Sequence, residues 1–494
     1  MSLQPESTIT PDALAAGQRA LVRDAAWASV TGSLSGGVVL VAMALQLGAG
    51  PLAIGLLGAI PFVAQVAQLP AVALVERVRR RKKMGVLALA VARLLIFLLA
   101  LLPLWPPEVG LILLIGAQLC IAALGSTAAC AINSWLHQLL PRVGLGSFFA
   151  RRLLWATGMS CVATLAVGLL VEHAPGGDRM LAFSLSFAGA GVAGLMSTLY
   201  LARCPEPVMP PTGAPAPLWA QLRAPFADKN FRALLRTQAT WSLATNLVAP
   251  FLALYLIRQL GYGLSTVTAL WAASQVSNTL TLFSWGRVSD KLSNKSILMV
   301  AVPLYFGCTL GLAFVPAGPP GGLQLGMLFG LHVAMGAAGG GIGLATGNLG
   351  LKLAPHGGAT AYLAAIGLCS AVAGGAAPLV GGALAQWFSE RQLSLVVRWV
   401  SPSHTQEVSV LSFAHWEFLF AISALLGLYV LHAAYSIREG GDVSERRVIQ
   451  ELGLEALRTV NHLSSIGGVL GSLFPFGRLS DLWRAVVGSP RPPP

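Results

Sequence analysis

Charge is scarce in this sequence. Aspartate, glutamate, lysine and arginine make up 10% of its 494 residues while 55% are hydrophobic, and the mean hydropathy is +0.71. Soluble domains carry about a quarter charged residues, so a soluble globular fold is excluded. Strict alternation of polarity over segments of about ten residues is missing too, which excludes a membrane β-barrel. Cysteine is sparse and unpatterned: Cys120, Cys130, Cys161, Cys204, Cys308 and Cys369 form no CxxC pair, so neither a disulfide framework nor a zinc site is expected. No GxxxxGK[ST] phosphate loop occurs, which argues against ATP-driven chemistry by this chain. No cofactor and no metal are expected. The first 24 residues are polar and mildly acidic and lack the basic start of a cleaved signal peptide, so the first apolar block reads as an uncleaved insertion signal.

What the sequence does contain is apolar blocks of 18 residues and more, each long enough at 1.5 Å per residue to cross a hydrocarbon core about 30 Å thick. Twelve such spans are read at 25–48, 52–75, 84–104, 109–132, 153–171, 180–202, 233–257, 264–285, 296–316, 325–350, 361–387 and 417–437. The expected fold is all-α: a polytopic membrane protein with 12 transmembrane helices in two six-helix bundles. Its parts are a cytoplasmic N-terminus (1–24), an N-terminal bundle (25–202), a proline-rich polar linker (203–232), a C-terminal bundle (233–437) and a cytoplasmic tail (438–494). Apolar positions Ile449, Leu452, Leu457, Val460 and Leu463 recur at helical spacing, predicting an amphipathic helix in the tail. The segment Ser389 to His415 reads as an external loop, either plain or lying at the membrane surface.

The halves echo each other. Gln46-Leu-Gly-Ala-Gly50 closes the first span and Gln259-Leu-Gly-Tyr-Gly263 closes the seventh, 213 residues on. Parallel six-helix repeats are a mark of transporters whose halves rock about a central site. Basic residues fix the expected orientation. Arg77 to Lys83, Arg151, Arg152, Arg203, Arg232, Arg287, Lys295 and Lys352 fall in the segments assigned to the cytoplasm, against Arg179, Arg258, Arg391 and Arg398 outside. Both termini are therefore expected inside, in a bacterial inner membrane. The net charge of +13 reads as topology and contact with membrane lipid; no aromatic-interleaved basic face points to nucleic acid.

Two loops carry a shared pattern. After the eighth span come Gly286, Asp290, Lys291 and Lys295; after the second come Val72, Glu76, Arg77 and a basic run to Lys83. Glycine permits close helix approach, and an acid beside a helix N-terminus with basic neighbours can latch one face shut. This pattern resembles the loop signature of the major facilitator superfamily, Gly-x-x-x-Asp-Arg/Lys-x-Gly-Arg. The second copy keeps its start, with Ser293 at the later glycine; the first has Val72 for glycine and Glu76 for aspartate. The resemblance spans residues 25 to 437. It implies alternating access, helices 1, 4, 7 and 10 lining a central cavity, and a gate made by Asp290 with Lys291 and by Glu76 with Arg77. In the eleventh span, Gly374-Gly-Ala-Ala-Pro-Leu-Val-Gly-Gly382 reads as small-residue helix packing around a proline bend.

Inside the spans the one clear charge is Arg93, a candidate for anion binding, gating or a structural tie. None of the 19 acidic residues falls mid-span, so a membrane-embedded proton carrier is not expected; His332 is either a substitute or a packing residue. Neutral polar residues are plentiful: Gln118 and Asn133 in the fourth span, Trp241, Thr245 and Asn246 in the seventh, Gln275 and Asn278 in the eighth. Together with Arg93 and His332 they outline a polar, weakly charged substrate cavity suited to a small neutral or amphipathic solute. The expected function is secondary active transport, with its coupling ion open. Two other readings remain: a transporter-like receptor or assembly factor, and a lipid-modifying enzyme for which only Ser134 and His137 on the fourth span offer a weak catalytic pair.

Overall fold

The computed structural model describes residues 4–140, 145–174, 177–209, 218–291, 293–316, 321–354, 359–401 and 405–439. In chain order the first half comprises α1 (Pro11–Ser35), α2 (Gly37–Gln46), α3 (Pro51–Val63), α4 (Gln68–Val78), α5 (Arg81–Leu99), α6 (Pro107–Leu139), α7 (Leu145–Glu172) and α8 (Arg179–Ala202). A short α9 (Leu218–Ala227) lies in the linker. The second half comprises α10 (Lys229–Leu254), α11 (Leu264–Lys291), α12 (Asn294–Gly311), α13 (Gly322–Leu353), α14 (Ala359–Phe388) and α15 (Glu417–Tyr435).

By length and composition, nine described helical segments can cross a membrane. The other three places belong to α3 with α4, to α5 and to α11. A one-turn 3-10 segment interrupts the first of these at Ala64–Ala67. Charge dilutes α5 at Arg81, Lys82, Lys83 and Arg93, and polar side chains such as Ser274, Gln275, Ser277 and Asn278 dilute α11. The result is the expected polytopic arrangement of two six-helix bundles.

Three features depart from the sequence reading. Thr10 caps α1 by accepting from the Ala13 amide, and Pro11 occupies the first helical turn, where its missing N–H costs nothing; the helix thus begins well before residue 25. It then breaks at Gly36, and Gly37 takes φ +52°, a left-handed value that a side chain would resist. Third, the segment between α14 and α15 is not a plain loop. It forms an antiparallel hairpin, β1 (Gln392–Val400) with β2 (Thr405–Ala414), paired from Gln392 with Ala414 to Val400 with Thr405 and slipped once between Leu395 and Val396. Its β-branched and aromatic residues, Val396, Val397, Trp399 and Val400, favour a pleated strand over a surface helix. The expected tail helix at Ser444 to Gly468 lies outside the described residues.

One end of the molecule bears the hairpin and the other bears both ends of the described chain. At the hairpin face a single apolar cluster runs through both halves, joining Val39, Ile54, Val167 and Phe187 to Phe251, Val267, Leu328 and Phe420. Toward the termini face the core divides. One cluster gathers Leu21, Val86, Trp135 and Leu201 in the first half, and another gathers Phe231, Trp285, Ile297 and Leu349 in the second.

Small residues make the junction at the hairpin face. A Cβ on Gly55 would lie 2.3 Å from the Pro378 carbonyl, and one on Gly58 would lie 2.5 Å from the Pro250 ring. Gly374 sits against Phe62, and Gly382 against the Pro51 carbonyl. The glycine run of α14 is therefore helix packing, as its composition suggests: backbone approaches backbone, and dispersion supplies the attraction that lipid tails would otherwise cancel.

Candidate functional site

A cavity of about 220 Å³ opens inside the second bundle. Thr245 and Leu252 of α10, Trp271 and Gln275 of α11, Tyr305 of α12, His332 and Met335 of α13, and Ser423 of α15 are among its walls. No carboxylate, lysine or arginine lines it. Of the residues singled out from the sequence, this cavity brings together Thr245, Gln275 and His332.

The others stand elsewhere. Trp241 packs edge-on against Tyr305 and Phe306, with ring centroids 4.8 and 5.6 Å away, and the indole that reaches the cavity is that of Trp271. Asn246 donates to the Ser242 carbonyl at 2.8 Å. Gln118 reaches the Ser35 carbonyl at 3.4 Å, beside the break in the first helix. Asn133 is exposed on α6, and Asn278 flanks the close approach of α11 to Gly339 and Gly340.

Arg93 does not face this cavity. Its side chain lies against α8, so close that a Cβ on Gly194 would come within 2.3 Å of its Cδ. A carboxylate that the sequence reading placed outside the spans lies near enough to act on its charge, without an ion pair between them. Asp24 is buried in α1, accepts from Ser197 Oγ at 2.7 Å and pairs with Arg152 at 3.9 Å. The missed signal is the helix start: with Thr10 and Pro11 read as its N-terminus, Asp24 falls inside the helix. Asp24 is therefore a buried acid within the first helix, and with Arg152 and Ser197 it ties α1, α7 and α8 together.

At the termini face each half carries a carboxylate clamp that sequence reading did not find. Glu206, just after α8, has a fully buried side chain; its Oε1 accepts from the Arg81 backbone N at 2.7 Å and pairs with Arg81 Nε at 3.4 Å. Arg81 also donates to Gln138 Oε1 and to the Pro207 carbonyl, and Trp135 donates to the Pro205 carbonyl. Residues Glu6 and Pro207 pair as a short parallel bridge over this site. In the second half Glu439, just after α15, accepts from the Lys295 backbone N at 2.8 Å, from Asn294 Nδ2 at 2.9 Å and from Lys352 Nζ at 3.0 Å. A carboxylate on the first turn of a helix satisfies its free N–H groups and suits its dipole. Both clamps thus cap the third helix of their half.

Of the expected gate, Lys295 takes part in the second clamp and holds its ammonium 5.1 Å over the Tyr435 ring. Arg77 is exposed. The side chains of Glu76, Asp290 and Lys291 lie outside the described residues. Gly286 has open space beside it rather than the expected tight helix contact.

Nearby, burial pulls Lys82 below the ordinary lysine value and pushes the Cys204 thiol up to about 12. All six cysteines are free, and no cluster able to hold a metal occurs among the described residues.

The family model described as Major Facilitator Superfamily matches residues 25–378, more than half of the chain. The chain belongs to that superfamily and is a membrane transporter. Among solved structures, a point mutant of the nucleoside transporter NupG is similar at 13% identity with a TM-score of 0.65, covering 86% of this chain and all of that one. A bacterial homologue of the human lysosomal transporter Spinster, inward-facing and unoccupied, is similar at 14% identity and TM-score 0.57, covering 87% of this chain and 95% of that one. A POT family transporter in complex with a thioalcohol-conjugated peptide follows at 11% identity and TM-score 0.60, covering 86% and 97%. These likenesses carry the fold. No curated protein matches significantly by sequence.

Proposed function

We propose that the protein is a secondary active transporter that moves a small, uncharged or amphipathic organic solute by alternating access. The observation that supports this reading is the division of the core. One continuous apolar cluster closes the hairpin face, while separate clusters leave the two halves able to part at the termini face. In this reading the termini face is cytoplasmic, in keeping with its basic residues, and the conformation is inward-open. The Spinster-like neighbour described as inward-facing has the same fold. The paired clamps at Glu206 and Glu439 hold each half rigid at the moving face, and Asp290 with Lys291 and Glu76 with Arg77 supply the latch.

The neutral cavity wall favours an uncharged cargo. Flux of radiolabelled uracil, glucose and nicotinate into proteoliposomes, with and without a pH gradient, tests the reading. Saturable flux of an uncharged solute is expected. Absence of any protein-dependent flux across a wider panel of organic solutes sinks it.

A further inference from the structure

The polar groups of the cavity within the second bundle fall into two sets. Thr245 Oγ1 donates to the Trp241 carbonyl, Thr309 Oγ1 to the Tyr305 carbonyl and Ser423 Oγ to the Ala244 carbonyl, at 2.7 to 3.0 Å. These hydroxyls are engaged by helix backbone. In contrast, no described residue hydrogen-bonds the side chains of Gln275, Tyr305, Trp271 or Ser274, all of which line the cavity. The second set is what a ligand would meet.

His332 fixes the floor. It is 3% exposed, and its Nδ1 lies 2.8 Å from the Leu328 carbonyl. A carbonyl only accepts, so Nδ1 carries the proton and Nε2 presents a lone pair. Nε2 is buried without a partner among the described residues, and the Trp271 ring lies tilted beside the imidazole at 5.9 Å between centroids.

Size and charge narrow the occupant. An apolar cavity of about 150 Å³ accommodates benzene, so about 220 Å³ admits one substituted ring. With no charged side chain in the wall, an ionic ligand would lose its hydration without a counter-ion. We propose that this cavity is the ring-binding subsite of the transporter. Its ligand class is an uncharged, single-ring solute bearing both hydrogen-bond donors and acceptors, packed on Trp271 and read by Gln275 and Tyr305. The proposal rests on the transport reading for its purpose and on the cavity alone for its chemistry.

Calorimetric binding to the purified full-length protein tests it with two matched pairs, uracil against orotate and nicotinamide against nicotinate. At least one uncharged member is expected to bind, and its carboxylate counterpart about tenfold more weakly or not at all. Tyr305→Phe and Gln275→Leu, which keep the packing volume, should each weaken binding by about tenfold, the loss of one buried hydrogen bond. Trp271→Phe should retain more affinity than Trp271→Ala. Equal binding of orotate or nicotinate, no binding of either uncharged probe, or unchanged affinity in both Tyr305→Phe and Gln275→Leu overturns the proposal. Flux separates the two readings. Binding of uracil without flux of any solute defeats transport and leaves the cavity chemistry standing; saturable flux of an uncharged solute with affinity unchanged in both Tyr305→Phe and Gln275→Leu leaves transport standing and defeats the cavity.

Discussion

At the scale of single residues, the buried charges divide by how well they are paired. The side chains of Arg81 and Glu206 are 3% and 0% exposed, and removing one partner of such a pair costs roughly 3–5 kcal/mol because the other charge stays buried. Glu206→Gln should therefore lower the melting temperature of the detergent-purified protein substantially. Adding Arg81→Met should restore part of the loss, since an apolar pair of similar volume tolerates the same site. Asp24→Asn should cost less than the lower end of that range, because Arg152 stands 3.9 Å away and a third of its side chain is exposed. A thermal shift as large as that of Glu206→Gln would contradict the weaker pairing.

Cys204 behaves differently, for its Sγ donates to the Gly17 carbonyl at 3.5 Å and its thiol is pushed up to about 12 by burial. A folded value above the ordinary 9.0 means that the stability it contributes is complete below pH 9 and drains as pH rises toward 12. Maleimide labelling at pH 8 should leave Cys204 untouched until the protein unfolds. Rapid labelling of Cys204 in the folded protein would contradict its burial.

At the scale of elements, the helices were legible because each is a long apolar block, and their order and number follow directly from the chain. Their starts were not. Thr10, Pro11 and Asp12 announce the α1 N-terminus through capping chemistry, but hydropathy alone begins the span at 25 and so leaves Asp24 outside. The hairpin was missed for a related reason. Leu393-Ser-Leu-Val-Val-Arg-Trp-Val400 is neither cleanly alternating nor helical in period, and its partner strand becomes evident only when the two segments are folded together.

The glycine run of α14 was readable as packing, yet which helices it meets depends on tertiary contact: Gly55 and Gly58 of α3 face Pro378, and Pro250 of α10 closes the same junction. A side chain at Gly55 has no room. Gly55→Leu should therefore wedge α3 from α14 and open the hairpin face, read as increased labelling by a membrane-impermeant reagent of a single cysteine introduced at the buried Ala385 near the hairpin end of α14. Unchanged labelling would mean that the junction yields without parting.

At the scale of the whole molecule, the loop signature, the repeat and the basic bias led to the superfamily, because all three are written in local sequence. The cavity was less legible. Gln275 and His332 were visible as polar residues within spans, but Trp271 and Tyr305 look like any aromatic residue of an apolar helix until α11 and α12 bring them to one wall. The clamps at Glu206 and Glu439 were hidden likewise, since each acid lies far in sequence from the helix start it caps.

We propose that the halves rock, so that one face opens as the other closes. Spin-label distances test it most directly, with one pair at the hairpin face, on His173 and Arg391, and one at the termini face, on Arg77 and Lys352, measured before and after Gly55→Leu. The wedge should lengthen the hairpin-face distance and shorten the termini-face distance. If both distances lengthen together, or the termini-face distance stays fixed while the hairpin face opens, alternating access by rocking halves is contradicted.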